Sequence, residues 1–114
     1  MSLTQSPFLF LRRLGVDSLD PVPGAMNKAK IKTYVAQRHG LTVQDLEGDS
    51  RQRDVTWARQ EAMWMMRMVK RPDGSHRYST PDIGRVLFRD HSTVLHGVRA
   101  HQARLDALNV EVAA

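Results

Sequence analysis

The step pattern across residues 55–69 constrains this chain more than any other feature. Val55, Ala58, Ala62, Met65 and Val69 recur at three- and four-residue intervals, which places them on one side of a helix and on no single face of a strand. Met63, Met66 and Met68 widen that stripe, and Trp57 and Trp64 read with them as core packing. A helix enclosed around so much of its circumference needs other helices about it. Asp54 is placed to cap it, while Arg59 and Arg67 fall off the central stripe, toward a partner or solvent.

The flanking sequence supplies those other helices. Ile31, Tyr34 and Val35 predict a helix from Asn27 to His39, with Gly40 to end it and Lys28, Lys30 and Lys32 on a solvated face. Thr42 to Leu46 reads as a short helix, with Asp45 three residues after Thr42 in the manner of a capping box. The polar segment Asp49 to Asp54 carries Arg51 and Arg53 in a loop, a pattern able to straddle phosphates or enter a minor groove. Lys70 to Tyr78 reads as a basic loop with a tight turn at Pro72-Asp73-Gly74. Ser79 or Thr80 then caps a helix that ends near Leu87 or Phe88, with Ile83, Val86 and Leu87 inward and Gly84 allowing close helix contact.

The last helix starts in Arg89-Asp90-His91-Ser92-Thr93-Val94-Leu95-His96-Gly97. Asp90 has the short acceptor that caps orphan amides; turned outward, it would instead accept from a cytosine amino group. His91, Ser92, Thr93 and His96 place hydrogen-bonding groups in the first two turns, while Val94, Leu95 and Val98 supply the inward side. The apolar pattern carries this helix to about Leu108 and leaves Asn109 to Ala114 as a frayed tail. A short helix, a tight connection and a longer helix with a polar start make a helix-turn-helix, whose second helix meets base edges with its N-terminal residues. The fold class is therefore all-α, about five helices, with the compact domain over 26–108.

Residues 1–25 read as an arm broken by Pro7, Gly15, Pro21, Pro23 and Gly24. Phe8, Leu9, Phe10 and Leu11 make it too apolar for a free tail, so it folds back on the core or meets a protein partner. Lys and Arg outnumber Asp and Glu by 17 to 12 in 114 residues, a balance that favours an anionic partner such as nucleic acid. The absence of cysteine excludes disulfides, thiolate metal sites and cysteine nucleophiles. No segment reads as a membrane span or signal peptide, so a cytoplasmic protein is the default.

The pieces Val35-Ala36, Val43, Asp45-Leu46, Arg51, Arg53, Ala58-Arg59-Gln60, Ala62-Met63, Ser79, Pro81 and Ile83-Gly84 precede the run Arg89 to His96 in a telling order. Over Ile31 to Leu105 the chain resembles the C-terminal DNA-binding domain of the bacterial chromosomal replication initiator DnaA, and the final run is close to that family's signature. The resemblance implies binding to double-stranded DNA at DnaA-box sites, from both grooves. Arg51 would enter the minor groove, Asp90, His91, Ser92 and Thr93 would read the major groove, and Arg59 and Arg67 would hold phosphates or neighbouring bases. The full site drawn this way adds Arg89, His96 and Gly97 at the major groove, and Arg53, Gln60 and Lys70 at the minor groove and backbone.

Three departures from the family stand out. Leu87-Phe88-Arg89 replaces a longer glycine-containing turn, Lys70 to Tyr78 exceeds the family's connection, and Gly97 stands where alanine is common. Gly97 costs about 1 kcal/mol of helix propensity and would allow close approach to a thymine methyl or to backbone. The Gly-x-x-x-x-Gly-Lys-Ser/Thr phosphate loop of the family's ATPase module is not found, so no nucleotide is expected; of a stand-alone protein and an excised domain, the arm before residue 26, unlike the end of an ATPase domain, favours the first.

Enzyme readings fail on spacing. His91, His96 and His101 are separated by five residues, about 140° per step on a helix, and do not share the face that a zinc pair requires. No nucleophile–base pair, metal site or cofactor is indicated. The competing reading is a protein-interaction adaptor, with Phe8 to Leu11 as its contact, or a transcription regulator that keeps the fold without DnaA-box specificity.

Overall fold

The structure, a computed structural model, describes residues 27–113. The expectations for the arm, Phe8, Leu9, Phe10 and Leu11 included, concern residues outside that range. Five helices are present among the described residues: α1 (Lys28–Arg38), α2 (Val43–Glu47), α3 (Arg53–Met68), α4 (Thr80–Leu87) and α5 (His91–Ala113). The fold is all-α, as the periodicity requires.

Local chemistry sets most of the boundaries. Asn27 caps α1 by accepting from the Lys30 amide at 2.8 Å. Past its end, Leu41 N–H reaches back to Ala36 O at 2.8 Å and Gly40 N–H to Gln37 O at 3.2 Å. This pair of bonds needs a left-handed residue between them, and Gly40 has φ +68°. The α2 capping box is closed in both directions, Asp45 N–H to Thr42 Oγ1 at 3.1 Å and Thr42 N–H to Asp45 Oδ2 at 2.9 Å. Ser79 and Asp82 form the same box on α4.

Two boundaries differ from expectation. The helix assigned to start after Asp54 starts at Arg53, with Gln52 at the cap position and no side-chain cap bond. Asp54 lies inside the first turn, where its carboxylate accepts from the Val55 amide at 2.9 Å. Arg53 is therefore a helical residue, not a loop residue. At the other end, α5 continues past Leu108 to Ala113. No glycine or proline follows Gly97, so nothing in the backbone chemistry stops it.

The core gathers around α3. Ala58, Ala62, Met63, Met65 and Met66 are buried there, against Ile31 and Val35 of α1, Leu46 of α2, Ile83 and Leu87 of α4, and Val94 of α5. Trp64 is buried too, its indole N–H donating to Gln102 Oε1 at 2.8 Å. The sequence stripe was drawn too wide: Trp57 is 44% exposed, Met68 sits at the surface, and Leu95 of α5 faces outward at 39%. Each lies past the edge of the arc that its neighbours can cover.

The turn between α4 and α5 is tight because Gly84 lets it be. A Cβ on Gly84 would stand 2.2 Å from the Arg89 carbonyl oxygen, and the Arg89 amide donates to Gly84 O at 2.9 Å. Phe88 turns the chain in the left-handed region, φ 56° and ψ 46°, and is 68% exposed. A non-glycine residue pays for that backbone with roughly 1–2 kcal/mol.

Candidate nucleic-acid interface

The start of α5 forms the centre of the site. Asp90 is its cap: Oδ1 accepts from the Thr93 amide at 2.8 Å, and its carbonyl accepts from Val94 at 3.1 Å. The Thr93 amide holds the Asp90 carboxyl below its ordinary range, against the opposing effect of desolvation. Of the two roles open to Asp90, capping is the one the geometry shows. With the cap fixed, helical arithmetic separates two faces. Val94 and Gly97 are buried with Val98 and His101 partly so, while His91, Ser92, Thr93, Leu95 and His96 are exposed. Arg99 shares that outward face one turn further on and is also exposed. Leu95 and Arg99 were not among the expected site residues, although each lies three residues after one of them, Ser92 and His96.

Arg89 does a different task from the one assigned to it. Its guanidinium donates to Leu87 O at 3.1 Å and Phe88 O at 3.0 Å, and its Nη2 donates to Gly48 O across 41 positions of sequence. It ties the helix-turn-helix connection to the loop after α2 rather than reaching freely outward.

Arg59 reinforces the same tie and corrects the expectation that it faces DNA or solvent. It is 6% exposed. Its Nε donates to Leu46 O at 2.7 Å, and its Nη groups reach Gly48 O at 3.2 Å, Asp45 O at 3.3 Å and Ser50 O at 3.4 Å. Burial is the main influence lowering its pKa, with the nearby Arg89 charge next and Asp49 opposing. The guanidinium satisfies carbonyls that α2 leaves open at its C-terminus. Arg51, two residues from the helix it precedes, is exposed, and among the described residues it makes no hydrogen bond or ion pair. The loop that carries it is thus held by Arg59 on one side and Arg89 on the other.

The remaining assigned residues divide. Gly97 is buried at the crossing of α5 with α3, where a Cβ would stand 2.4 Å from Met63 Sδ and 3.2 Å from Gln60 Cγ. It permits helix packing and does not face a groove. Gln60 accepts from Arg104 Nη2 at 2.7 Å in the same crossing. Arg53 is exposed but lies over the Trp57 ring at 5.4 Å, with Arg104 over the same ring at 4.5 Å. Arg67 donates to Tyr78 O at 2.8 Å. Lys70 is half-buried on the connection between α3 and α4.

A buried polar cluster behind the site had no sequence signal. Glu61 is 2% exposed, within the stripe of α3, and accepts from Arg38 Nη2 at 3.0 Å and lies 2.7 Å from His39 Nε2. Burial pushes its pKa up, but the bonds from His39 and Arg38 and their charges outweigh it and leave it lowered. His101 packs 5.2 Å from Trp64 between ring centroids, its Nδ1 buried without a partner. Desolvation pulls it down to about 4 despite the attraction of Glu61. Among the described residues no group of three metal-ligating side chains occurs, and no helix is long and apolar enough to cross a membrane.

Comparison with known proteins agrees with this geometry. The bacterial dnaA protein helix-turn-helix family matches residues 29–100. The chromosomal replication initiator protein DnaA of Caulobacter vibrioides is 39% identical over 82 residues, covering 71% of this chain and 15% of that protein. The protein of the same name from Brucella abortus is 32% identical over 100 residues, covering 79% and 19%, and that from Deinococcus radiodurans 32% over 78 residues, covering 68% and 16%. The chain thus spans under a fifth of the length of these relatives. No solved structure matches. By the extent of the match and the helix-turn-helix it falls on, the chain belongs to the bacterial DnaA helix-turn-helix family.

Proposed function

We propose that this chain binds double-stranded DNA sequence-specifically at DnaA-box-like sites, and through them takes part in replication initiation or its regulation. The observation that carries the reading is the capped start of α5, with His91, Ser92, Thr93 and His96 all exposed. Such a start enters a major groove with its side chains already positioned. Ser92 offers a hydroxyl, and Thr93 both a hydroxyl and a methyl, to base edges. Arg51 supplies the minor-groove contact from a loop fixed to the same body. Arg59, Arg89, Gln60 and Gly97 support the readers instead of reading. Arg67 and Arg53 remain candidate contacts to the backbone of the box, Lys70 to backbone outside it, and Leu95 and Arg99 join the outward face of α5.

Fluorescence anisotropy with a DnaA-box duplex and a scrambled duplex tests this. The expected result is tighter binding to the box, with affinity falling as salt rises. Arg51→Ala should weaken binding and reduce the salt slope by roughly one. Thr93→Val should narrow the preference for box over scrambled DNA by about 1–3 kcal/mol. Equal affinity of the unaltered chain for both duplexes at moderate salt would sink DnaA-box specificity and favour a regulator or adaptor that keeps only the fold.

A further inference from the structure

The connection from α3 to α4 is a ribbon, not a loose loop. Lys70 and His76 pair in an antiparallel bridge. Arg71 N–H donates to Ser75 O at 2.8 Å, and Arg77 N–H to Val69 O at 3.0 Å. Asp73 closes the tip by accepting from the Ser75 amide at 2.9 Å and hydroxyl at 2.6 Å. The base is pinned as well: His76 Nδ1 lies 2.7 Å from Arg67 O, Arg67 holds Tyr78 O, and the Lys28 ammonium sits 5.0 Å from the Tyr78 ring centroid. A ribbon held this way presents its side chains with little ordering cost on binding.

Those side chains are cationic. Lys70, Arg71 and Arg77 oppose a single acid, Asp73, which leaves residues 70–78 a formal charge of +2 with His76 neutral. Asp73 is occupied by Ser75, and among the described residues none of the three cations forms an ion pair. Arg71 and Arg77 are exposed, and Lys70 is partly so. Like charges gathered on a rigid exposed strip repel one another, and an anionic partner relieves that repulsion.

The ribbon runs straight into Ser79, the cap of α4, which is the first helix of the helix-turn-helix. In that motif the first helix crosses the sugar–phosphate backbone. Three residues per arm at roughly 3.3 Å each extend about 10 Å, the span of about three phosphate charges on one strand. We propose that this hairpin is a phosphate-binding wing: Lys70, Arg71 and Arg77 contact the DNA backbone outside the base pairs read by α5. The wing enlarges the footprint and the salt dependence without adding base preference. It rests on the reading of the chain as a DNA binder.

The test is a salt titration by fluorescence anisotropy, using the full chain and three probes. These are a DnaA-box duplex with about ten flanking base pairs on each side, the same duplex trimmed to the box, and a scrambled duplex of the longer length. The triple variant Lys70→Gln, Arg71→Gln, Arg77→Gln should lose up to about 2.7 from the magnitude of the salt slope on the long duplex, since each phosphate contact contributes about 0.9. Each lost contact makes binding less sensitive by roughly 3.5-fold between 50 and 200 mM salt. On the trimmed duplex the variant and the unaltered chain should bind alike, and the ratio of box to scrambled affinity should not move. Arg71→Gln alone, at an exposed position, gives one third of the slope change and guards against misfolding of the triple variant. An unchanged slope on the long duplex, or a changed box-to-scrambled ratio, overturns the wing. If the unaltered chain binds box and scrambled duplexes equally, site specificity fails while the slope comparison still decides the wing. If it binds no DNA, both fail.

Discussion

Arg59→Gln separates a structural arginine from a phosphate contact. The guanidinium is the donor for four carbonyls, those of Asp45, Leu46, Gly48 and Ser50, at the end of α2 and in the loop after it. Glutamine reaches at most one or two of them and carries no charge to set against the negative end of the helix. Each charge-assisted bond contributes about 1.5–3 kcal/mol, and part of that is recovered because the variant no longer buries a cation. The net expectation is a loss of about 2–4 kcal/mol, a fall in Tm of roughly 10–20 °C for a domain of this size. Urea unfolding of the DNA-free protein measures it. Arg59→Lys keeps the charge and loses the fork, so it should fall between. A surface phosphate contact behaves differently, since its removal leaves stability within about 0.5 kcal/mol. Arg59→Gln that close to the unaltered chain would refute the reasoning. DNA binding supplies a second arm: in an Arg51→Gln background, Arg59→Gln should leave the salt slope alone, whereas a direct contact would take a further ~0.9 from it.

Other outcomes follow from the same contacts. Phe88→Gly relieves a left-handed backbone and removes an exposed ring, so it should raise stability by about 1 kcal/mol; a melting temperature that stays level or falls goes against it. Gly84→Ala gains about 1 kcal/mol of helix propensity but drives a Cβ to 2.2 Å from a backbone oxygen. The clash and the strained Arg89-to-Gly84 bond should win, for a net loss of about 2 kcal/mol and weaker box binding. Stability should also depend on acid. His101 is held near 4 by burial, below its ordinary value near 6.5. Between those values the unfolded chain binds a proton that the folded chain refuses. Stability is therefore fully present above about pH 6.5 and falls toward pH 4, by up to about 1.4 kcal/mol per pH unit. The lowered Glu61 adds its own loss only below the ordinary carboxylate range. Urea midpoints across pH 4–7 should show the slope in the unaltered chain and flatten it in His101→Gln; equal slopes would remove His101 as the cause.

Helix existence was legible wherever one short side chain or one backbone atom decides the matter. Thr42, Ser79 and Asp90 all cap as their chemistry allows, because an acceptor beside an orphan amide needs no knowledge of the rest of the fold; Asn27, read only as the start of its helix, caps it in the same way. Gly84 was legible for the same reason. Asp54 was not: its carboxylate had two amide registers available, and the helix took the one that starts at Arg53. Arginine posed a harder problem. Arg51, Arg59 and Arg89 have the same side chain, yet one is exposed and two are spent on main-chain carbonyls, one of them 41 positions away. Periodicity places Arg59 off the stripe of α3, but cannot show that the end of α2 covers it. Trp57 erred in the opposite direction: an aromatic at the stripe's edge reads as core, and here two guanidinium groups cover its ring in place of apolar neighbours.

The carbonyl of Gly48 carries a consequence for how DNA would be read. It accepts from Arg59, which fixes the Arg51 loop to α3, and from Arg89, which fixes the turn into α5. The Arg51 loop and the start of α5 therefore bear on one backbone atom, and neither can move without straining bonds that hold the other. On the proposed reading, the distance and angle between the two contacts are set by the protein, and the duplex must supply matching groove widths. Sequences that deform easily to that geometry are favoured even at base pairs no side chain touches. The side chains of α5 would then account for only part of the selectivity, and Arg59 and Arg89, both spent on main-chain carbonyls, for part of the remainder.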